Sequence, residues 1–259
     1  MLYPPEPPKI TGYTNSEVLR AGSTLSLTCR ALGGNPQPQL IFYRNNVQID
    51  SSYTIDSGKE SVNTYTFTVD PNDHNAVYKC VSRTPSPNGY DYVPLPSKYL
   101  HLESNGNIQT AEVRLNVQYA PSNVKILGET EVKQGSLVRM RCVTSKANPP
   151  SEISFVVDGH LVNATTTQII SAANFSLEKY ISVYNRNPQP LESTNALSPA
   201  SALIDDKAGY ITISEITYRL RPDERSSKTF QCYALSQSLS ETVVENALVN
   251  ILCKFIFQS

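Results

Sequence analysis

Five cysteines, three histidines, one adjacent pair of aspartates and two Asn-x-Ser/Thr triplets are the residues here whose chemistry could exceed simple packing. The histidines are His74, His101 and His160. They are scattered, and none stands at metal-ligand spacing from a cysteine. His74 falls in a turn and is read as solvated. Asp205-Asp206 lies in a Pro/Ser/Ala-rich stretch and is read as a solvated pair rather than an acid/base couple. No Gly-x-Ser-x-Gly, phosphate loop or His-Glu-x-x-His occurs. Gly33-Gly34 sits between two expected strands with no helix after it, so it is no nucleotide loop. The expectation is a protein without enzymatic activity, cofactor, metal or small-molecule substrate.

The triplets Asn163-Ala164-Thr165 and Asn174-Phe175-Ser176 are acceptors for N-linked sugar. Asn163 follows the turn "VDGHLV" and is expected to be exposed and glycosylated. Asn174 is the weaker candidate, because apolar residues alternate around it. Together with the cysteines they point to an oxidising compartment.

The chain that must position these groups has 259 residues, enough for two domains. It is 39% hydrophobic and 17% charged, which is apolar enough for packed cores. A net charge of −1 offers no electrostatic footprint for nucleic acid or an anionic membrane. The tail "ILCKFIFQS" is too short to span a bilayer and is broken by Lys254. The opening "MLYPPEPPKI" lacks the regions of a signal peptide. A signal and a membrane anchor are expected outside these residues.

The chain repeats itself. "AGSTLSLTC" (21–29) matches "QGSLVRMRC" (134–142), and "CRALGGNPQPQLIF" (29–42) matches "CVTSKANPPSEISF" (142–155). Both copies carry Asn-Pro after the first cysteine and then a phenylalanine, Phe42 and Phe155. "YPPEPPKITG" (3–12) mirrors "YAPSNVKILG" (119–128). Each copy runs on to a second cysteine through a turn: "YTFTVDPNDHNAVYKC" (65–80) and "YITISEITYRLRPDERSSKTFQC" (210–232). Alternation of apolar and polar residues between turn signals predicts short antiparallel strands throughout. No amphipathic helix of three turns stands out.

This constellation resembles the immunoglobulin domain of the intermediate set, twice over, and implies an all-β chain of two tandem sandwiches. The resemblance pairs Cys29 with Cys80 and Cys142 with Cys232, one bridge per domain. It puts Phe42 and Phe155 where a tryptophan usually packs on the bridge. Tyr78 takes the place of the tyrosine corner, its hydroxyl expected on the backbone. Phe230 stands at the matching place and has no hydroxyl, so the second domain is expected to lack that anchor. Phe42→Trp is expected to be tolerated. Cys253 has no partner and belongs to a tail, 253–259, that does not continue the alternation before it.

The boundaries expected are 1–119 for the first domain and 120–252 for the second. An insertion at 84–108 lengthens the loop between the last two strands of the first domain. Its Tyr90, Tyr92 and Tyr99 make it a candidate contact loop, since tyrosine gives area at low entropy cost. A second insertion, 185–209, is expected to be largely disordered.

The stretches "RAGSTLSLTCRALGGNPQPQLIFYRNN", "VQYAPSNVKILG" and "QCYALSQSLSETV" are similar to nephrin-type cell-adhesion receptors of the immunoglobulin superfamily. That resemblance implies two middle domains of a single-pass receptor, on the extracellular side of the plasma membrane at a junction or synapse. Its partner would be a related immunoglobulin receptor on an apposed cell, with lateral self-association as a second mode. The segment itself would serve as a spacer. The alternatives are a secreted two-domain binding protein and an intracellular sarcomeric module.

Overall fold

A computed structural model describes residues 3–84, 108–171, 177–186, 209–224 and 226–252. Tyr90, Tyr92, Tyr99, His101, Asn174, Asp205, Asp206, Cys253 and most of both insertions lie outside the described residues. Contacts divide the chain into two compact units, Met1–Val117 and Gln118–Ser259. Among the described residues both are all-β apart from a 3₁₀ turn in the first and one helix in the second.

In the first unit, Thr24–Asn35 pairs with Tyr3–Pro5, Lys9–Thr11 and Glu60–Thr68, and Thr54–Ile55 closes the far side of that sheet. The facing sheet runs Ile108–Arg114, Val77–Arg83, Gln39–Arg44, Val47–Asp50. The alternation of Thr24–Asn35 explains the sandwich. Leu25, Leu27, Cys29 and Ala31 point inward and are buried. Thr24, Ser26 and Thr28 point outward, with Ser26 and Thr28 hydrogen-bonded to Thr66 and Thr64 on the neighbouring strand at 2.8 and 3.0 Å. Two buried polar side chains tie the sheets. Asn63 Nδ2 donates to the Leu40 carbonyl at 3.1 Å, and the Ser61 hydroxyl to the Pro38 carbonyl at 2.7 Å.

The missing tryptophan is compensated by a run of rings. Phe42 meets Tyr65 at 6.3 Å between centroids, Tyr65 stacks on Phe67 at 5.2 Å, and Phe67 on Tyr78 at 4.9 Å. Phe42 is fully buried among them. This packing reverses the expectation that a tryptophan would be accommodated. A larger ring at the fully buried Phe42 adds volume to a closed core, and overpacking of this kind costs about 1–3 kcal/mol. Phe42→Trp is therefore expected to lower the thermal midpoint by several degrees. An unchanged or raised midpoint in circular-dichroism melting would show that the ring stack yields freely.

Tyr78 also departs from expectation. Its hydroxyl donates not to backbone but to the Asp73 carboxylate, at 2.9 Å. Burial, then that hydrogen bond, raises its pKa well above the ordinary tyrosine range. The reason lies in the turn. Asp70 caps Pro71–Asp73 by accepting the Asn72 N–H, and Asp73 accepts the Asp70 N–H in return, at 2.8 Å each. That capping box points the other Asp73 oxygen inward, where Arg44 also binds it at 2.7 Å. His74, expected to be solvated, instead accepts the Val117 N–H on Nδ1 at 3.1 Å and holds the end of the last strand.

The second unit repeats the plan. One sheet runs Val124–Gly128, Leu137–Thr144, Tyr210–Arg219, Thr166–Ser171. The other runs Glu131–Lys133, Glu241–Leu252, Lys228–Ser236, Glu152–Val157, His160–Val162. Between them lie Val138, Met140, Cys142, Phe155, Ile216, Leu220, Phe230 and Cys232. Phe230 meets Tyr218 edge-on at 5.7 Å. A buried turn carboxylate is kept here too, but its partners differ. Glu224 pairs with Lys228, which also reaches Asp158 at 2.7 Å. These bonds, to Asp158 first and Glu224 second, push the Lys228 ammonium up to about 12. The same lysine holds Glu224 below the usual carboxylate range. A cation at a new position thus does the tethering that the missing phenol cannot.

Leu177–Arg186 is a ten-residue α-helix that sequence reasoning did not single out. Leu177, Tyr180, Ile181 and Tyr184 recur at helical spacing and pack against Val143, Ile211 and Ile213 on the outer face of the first sheet. This cover explains why Leu137–Thr144 alternates at its start and is buried on both faces from Met140 onward. Asn185 and Arg186, placed by sequence in the disordered insertion, are the helix's last two residues.

Candidate functional site

The bridges sit at the two centres. Cys29 is joined to Cys80 and Cys142 to Cys232, all four fully buried. Phe42 lies opposite Cys80 in the ladder and Phe155 opposite Cys232, so each ring flanks its own bridge from the neighbouring strand. Neither centre is open to a ligand. Among the described residues no three His, Cys, Asp or Glu side chains converge as a metal site. No helix among them is long and apolar enough to cross a membrane.

What remains for function is surface. Asn163 is exposed in the turn between His160–Val162 and Thr166–Ser171. Those strands are the outermost members of different sheets, so Asn163 stands where the chain crosses from one sheet edge to the other. The triplet's Thr165 is held on both sides. Its N–H donates to the Glu215 carbonyl at 2.7 Å, and its hydroxyl accepts the Thr217 N–H at 3.0 Å. The asparagine side chain is left accessible on a fixed backbone.

The two units treat the outer face of their first sheet differently. In the first unit that face is lined by hydroxyls and lies open. In the second it is apolar and covered by the helix. Exposed apolar side chains of the second unit also occur along Glu241–Leu252. Val244, Leu248 and Leu252 point outward there, Leu248 with 54% of its surface exposed. Tyr233 is opposite Val244 on the next strand. A shallow cleft lined by Pro149, Pro150, Glu152 and Ser236–Ser238 lies at one end of the same sheet. Alternation in "ETVVENALVNIL" carried the signal for the Val244–Leu248 face, which sequence reasoning passed over. The tyrosine-bearing contact loop lies outside the described residues, so nothing places it beside this face.

Residues 7–83 match the family described as Immunoglobulin domain. Human nephrin is 26% identical over 170 residues, which cover 61% of this chain and 12% of nephrin. Mouse nephrin is 30% identical over 152 residues, or 58% of this chain and 11% of its own length. Cell adhesion molecule 2 of Rattus norvegicus is 26% identical over 201 residues, covering 76% of this chain and 42% of that protein. The chain thus spans little more than a tenth of the nephrins it matches. Among solved structures, the crystal structure of Rst D1-D2 superposes with a TM-score of 0.50 at 15% identity, over 96% of this chain and all of that one. At that identity the likeness is one of fold.

Proposed function

We propose, starting from a chain whose first domain matches the immunoglobulin-domain family and which resembles nephrin-type adhesion receptors, that residues 3–251 act as a spacer in a longer extracellular receptor. In this reading the receptor binds a related immunoglobulin receptor on an apposed cell. These two domains set distance and orientation rather than first contact. The observation that carries it is the tether. Val117 donates its N–H to His74 in the first unit, and Tyr119 donates its own to Asn148 in the second. Only Gln118 separates them, which leaves no slack for a flexible linker. A net charge of −1 supports the same reading, because the chain as a whole carries little monopole to steer a charged partner from afar.

The test is surface plasmon resonance with the full chain flowed over the ectodomain of an opposing immunoglobulin-superfamily receptor. The expected result is no saturable binding at micromolar concentrations. Micromolar or tighter binding, abolished by changing Tyr90, Tyr92 and Tyr99 to serine, would make the chain a recognition module and end the spacer reading.

The extracellular setting carries its own prediction. Chain secreted from animal cells is expected to bear N-linked sugar on Asn163, and Asn163→Gln should migrate faster on a denaturing gel. Unchanged mobility would count against the exposed turn as an acceptor.

A further inference from the structure

An exposed sheet edge invites pairing with another chain, and proteins blunt edges with charge, proline or brevity. The described edges of this protein follow that practice with one exception. Tyr3–Pro5 carries two prolines, Lys9–Thr11 a lysine, and Thr54–Ile55 is two residues long. Val47–Asp50 ends in an aspartate, and Ile108–Arg114 carries Glu112 and Arg114. Val124–Gly128 has Lys125, Glu131–Lys133 is charged at both ends, and His160–Val162 has three residues. Thr166–Ser171, with the sequence TTQIIS, has six residues and neither charge nor proline. Among the described strands it pairs only with Tyr210–Arg219, which puts it at the end of its sheet. The surrounding sequence is no better guarded, for no Asp, Glu, Lys or Arg occurs from Leu161 to Leu177.

The composition favours self-association. Threonine and isoleucine have high strand propensity, and a short uncharged segment of such residues is the sort that stacks edge to edge. Ile169 adds apolar surface, half of it exposed. Two copies of this strand laid antiparallel bring no like charges together in any register. Asn174, the weaker acceptor, lies outside the described residues; on the described backbone the bulky, hydrophilic group the sequence can place nearby is a glycan on Asn163. It would begin three residues before Thr166, about 10 Å of extended chain, against a strand about 20 Å long.

We infer that carbohydrate on Asn163 shields the Thr166–Ser171 edge, and that without it this edge pairs with the same strand of a second copy of the chain. The inference rests on the glycosylation reading above. In it the sugar keeps the spacer from associating through its side.

The experiment is sedimentation velocity on full-length chain secreted from animal cells. Three forms are compared, each carrying Cys253→Ser so that no thiol-linked dimer contributes: otherwise unaltered, Asn163→Gln, and Asn163→Gln with Ile169→Lys. Intact mass establishes the sugar, and circular dichroism that all three are folded. The unaltered form is expected to sediment as a glycosylated monomer. Asn163→Gln is expected to shift to at least twice the monomer mass, and the added lysine to return it to monomer. A glycosylated parent whose Asn163→Gln variant stays monomeric overturns this inference alone, as does association that Ile169→Lys leaves unchanged. A monomeric parent with no sugar on Asn163 overturns the glycosylation reading as well.

Discussion

Replacing Cys142 and Cys232 together with alanine is expected to lower the stability of the second unit by up to about 4.6 kcal/mol, and the matching change at Cys29 and Cys80 that of the first by up to about 4 kcal/mol. The bridges close spans of 90 and 51 residues. In the chain-entropy view a bridge chiefly restricts the unfolded ensemble, so its worth grows with the logarithm of the span. The two values therefore lie close together although one span is nearly twice the other. Deleting the 38 residues between Ser171 and Tyr210 would reduce the entropic worth of the second bridge by only about 0.5 kcal/mol. The measurement is urea unfolding followed by far-UV circular dichroism, since the chain has no tryptophan to report. A loss below about 1 kcal/mol in the second unit would mean that residual contacts among its core residues, Phe155 and Phe230 included, constrain the unfolded chain without the bridge.

The features legible in the sequence were those with a short repeat. Strict alternation in "AGSTLSLTC" assigns Leu25, Leu27 and Cys29 to one face, and the copy ending at Cys142 repeats it. Two-sheet architecture and the burial of Phe42, Phe155, Tyr78 and Phe230 follow instead from the resemblance to the immunoglobulin domain that these segments carry. The partner of a polar group is not legible in either way. Tyr78 was expected to bond backbone, but the nearest acceptor is a carboxylate that the Asp70–Asp73 capping box turns inward. The substitute tether in the second unit was equally hidden. Nothing in the spacing of Asp158, Glu224 and Lys228 says that they meet.

The helix was missed for a different reason. Ten residues give too few turns to stand out, and they lie between small and polar residues that read as loop. A signal did exist one strand away. In "MRCVT" the alternation fails, because Arg141 and Val143 face outward and yet are buried. A strand that stops alternating has something on both faces, and here the second cover is the helix Leu177–Arg186. The unguarded edge was legible as well, as seventeen successive residues without a charge, 161–177. Its position at the edge came only from the sheet order.

Glu215→Ala is expected to be the most damaging single truncation beneath that helix. Arg141 is 3% exposed, and its Nε and one terminal nitrogen donate to the same Glu215 oxygen at 3.1 and 2.6 Å. Its other terminal nitrogen donates to the Tyr180 hydroxyl at 2.7 Å, and its guanidinium lies 5.0 Å from the centre of the Tyr184 ring. Removing the carboxylate leaves a cation sealed between sheet and helix without the anion that compensates it, which costs about 3–5 kcal/mol. Removing both charges is a different matter. In Arg141→Met with Glu215→Leu neither ion has to be desolvated, and the apolar neighbours Val143, Ile213 and Tyr184 can pack on the new side chains. The double variant is expected to be far closer to the parent than either single truncation. Tyr180→Phe removes one acceptor while the ion pair stays, and should cost about 1–2 kcal/mol. Urea unfolding of the parent, Arg141→Met, Glu215→Leu and the double variant gives the coupling energy directly. If Glu215→Ala instead costs less than about 1 kcal/mol, the helix must lift enough to let water reach Arg141. Amide exchange along Leu177–Arg186 would then rise in that variant and not in the double one.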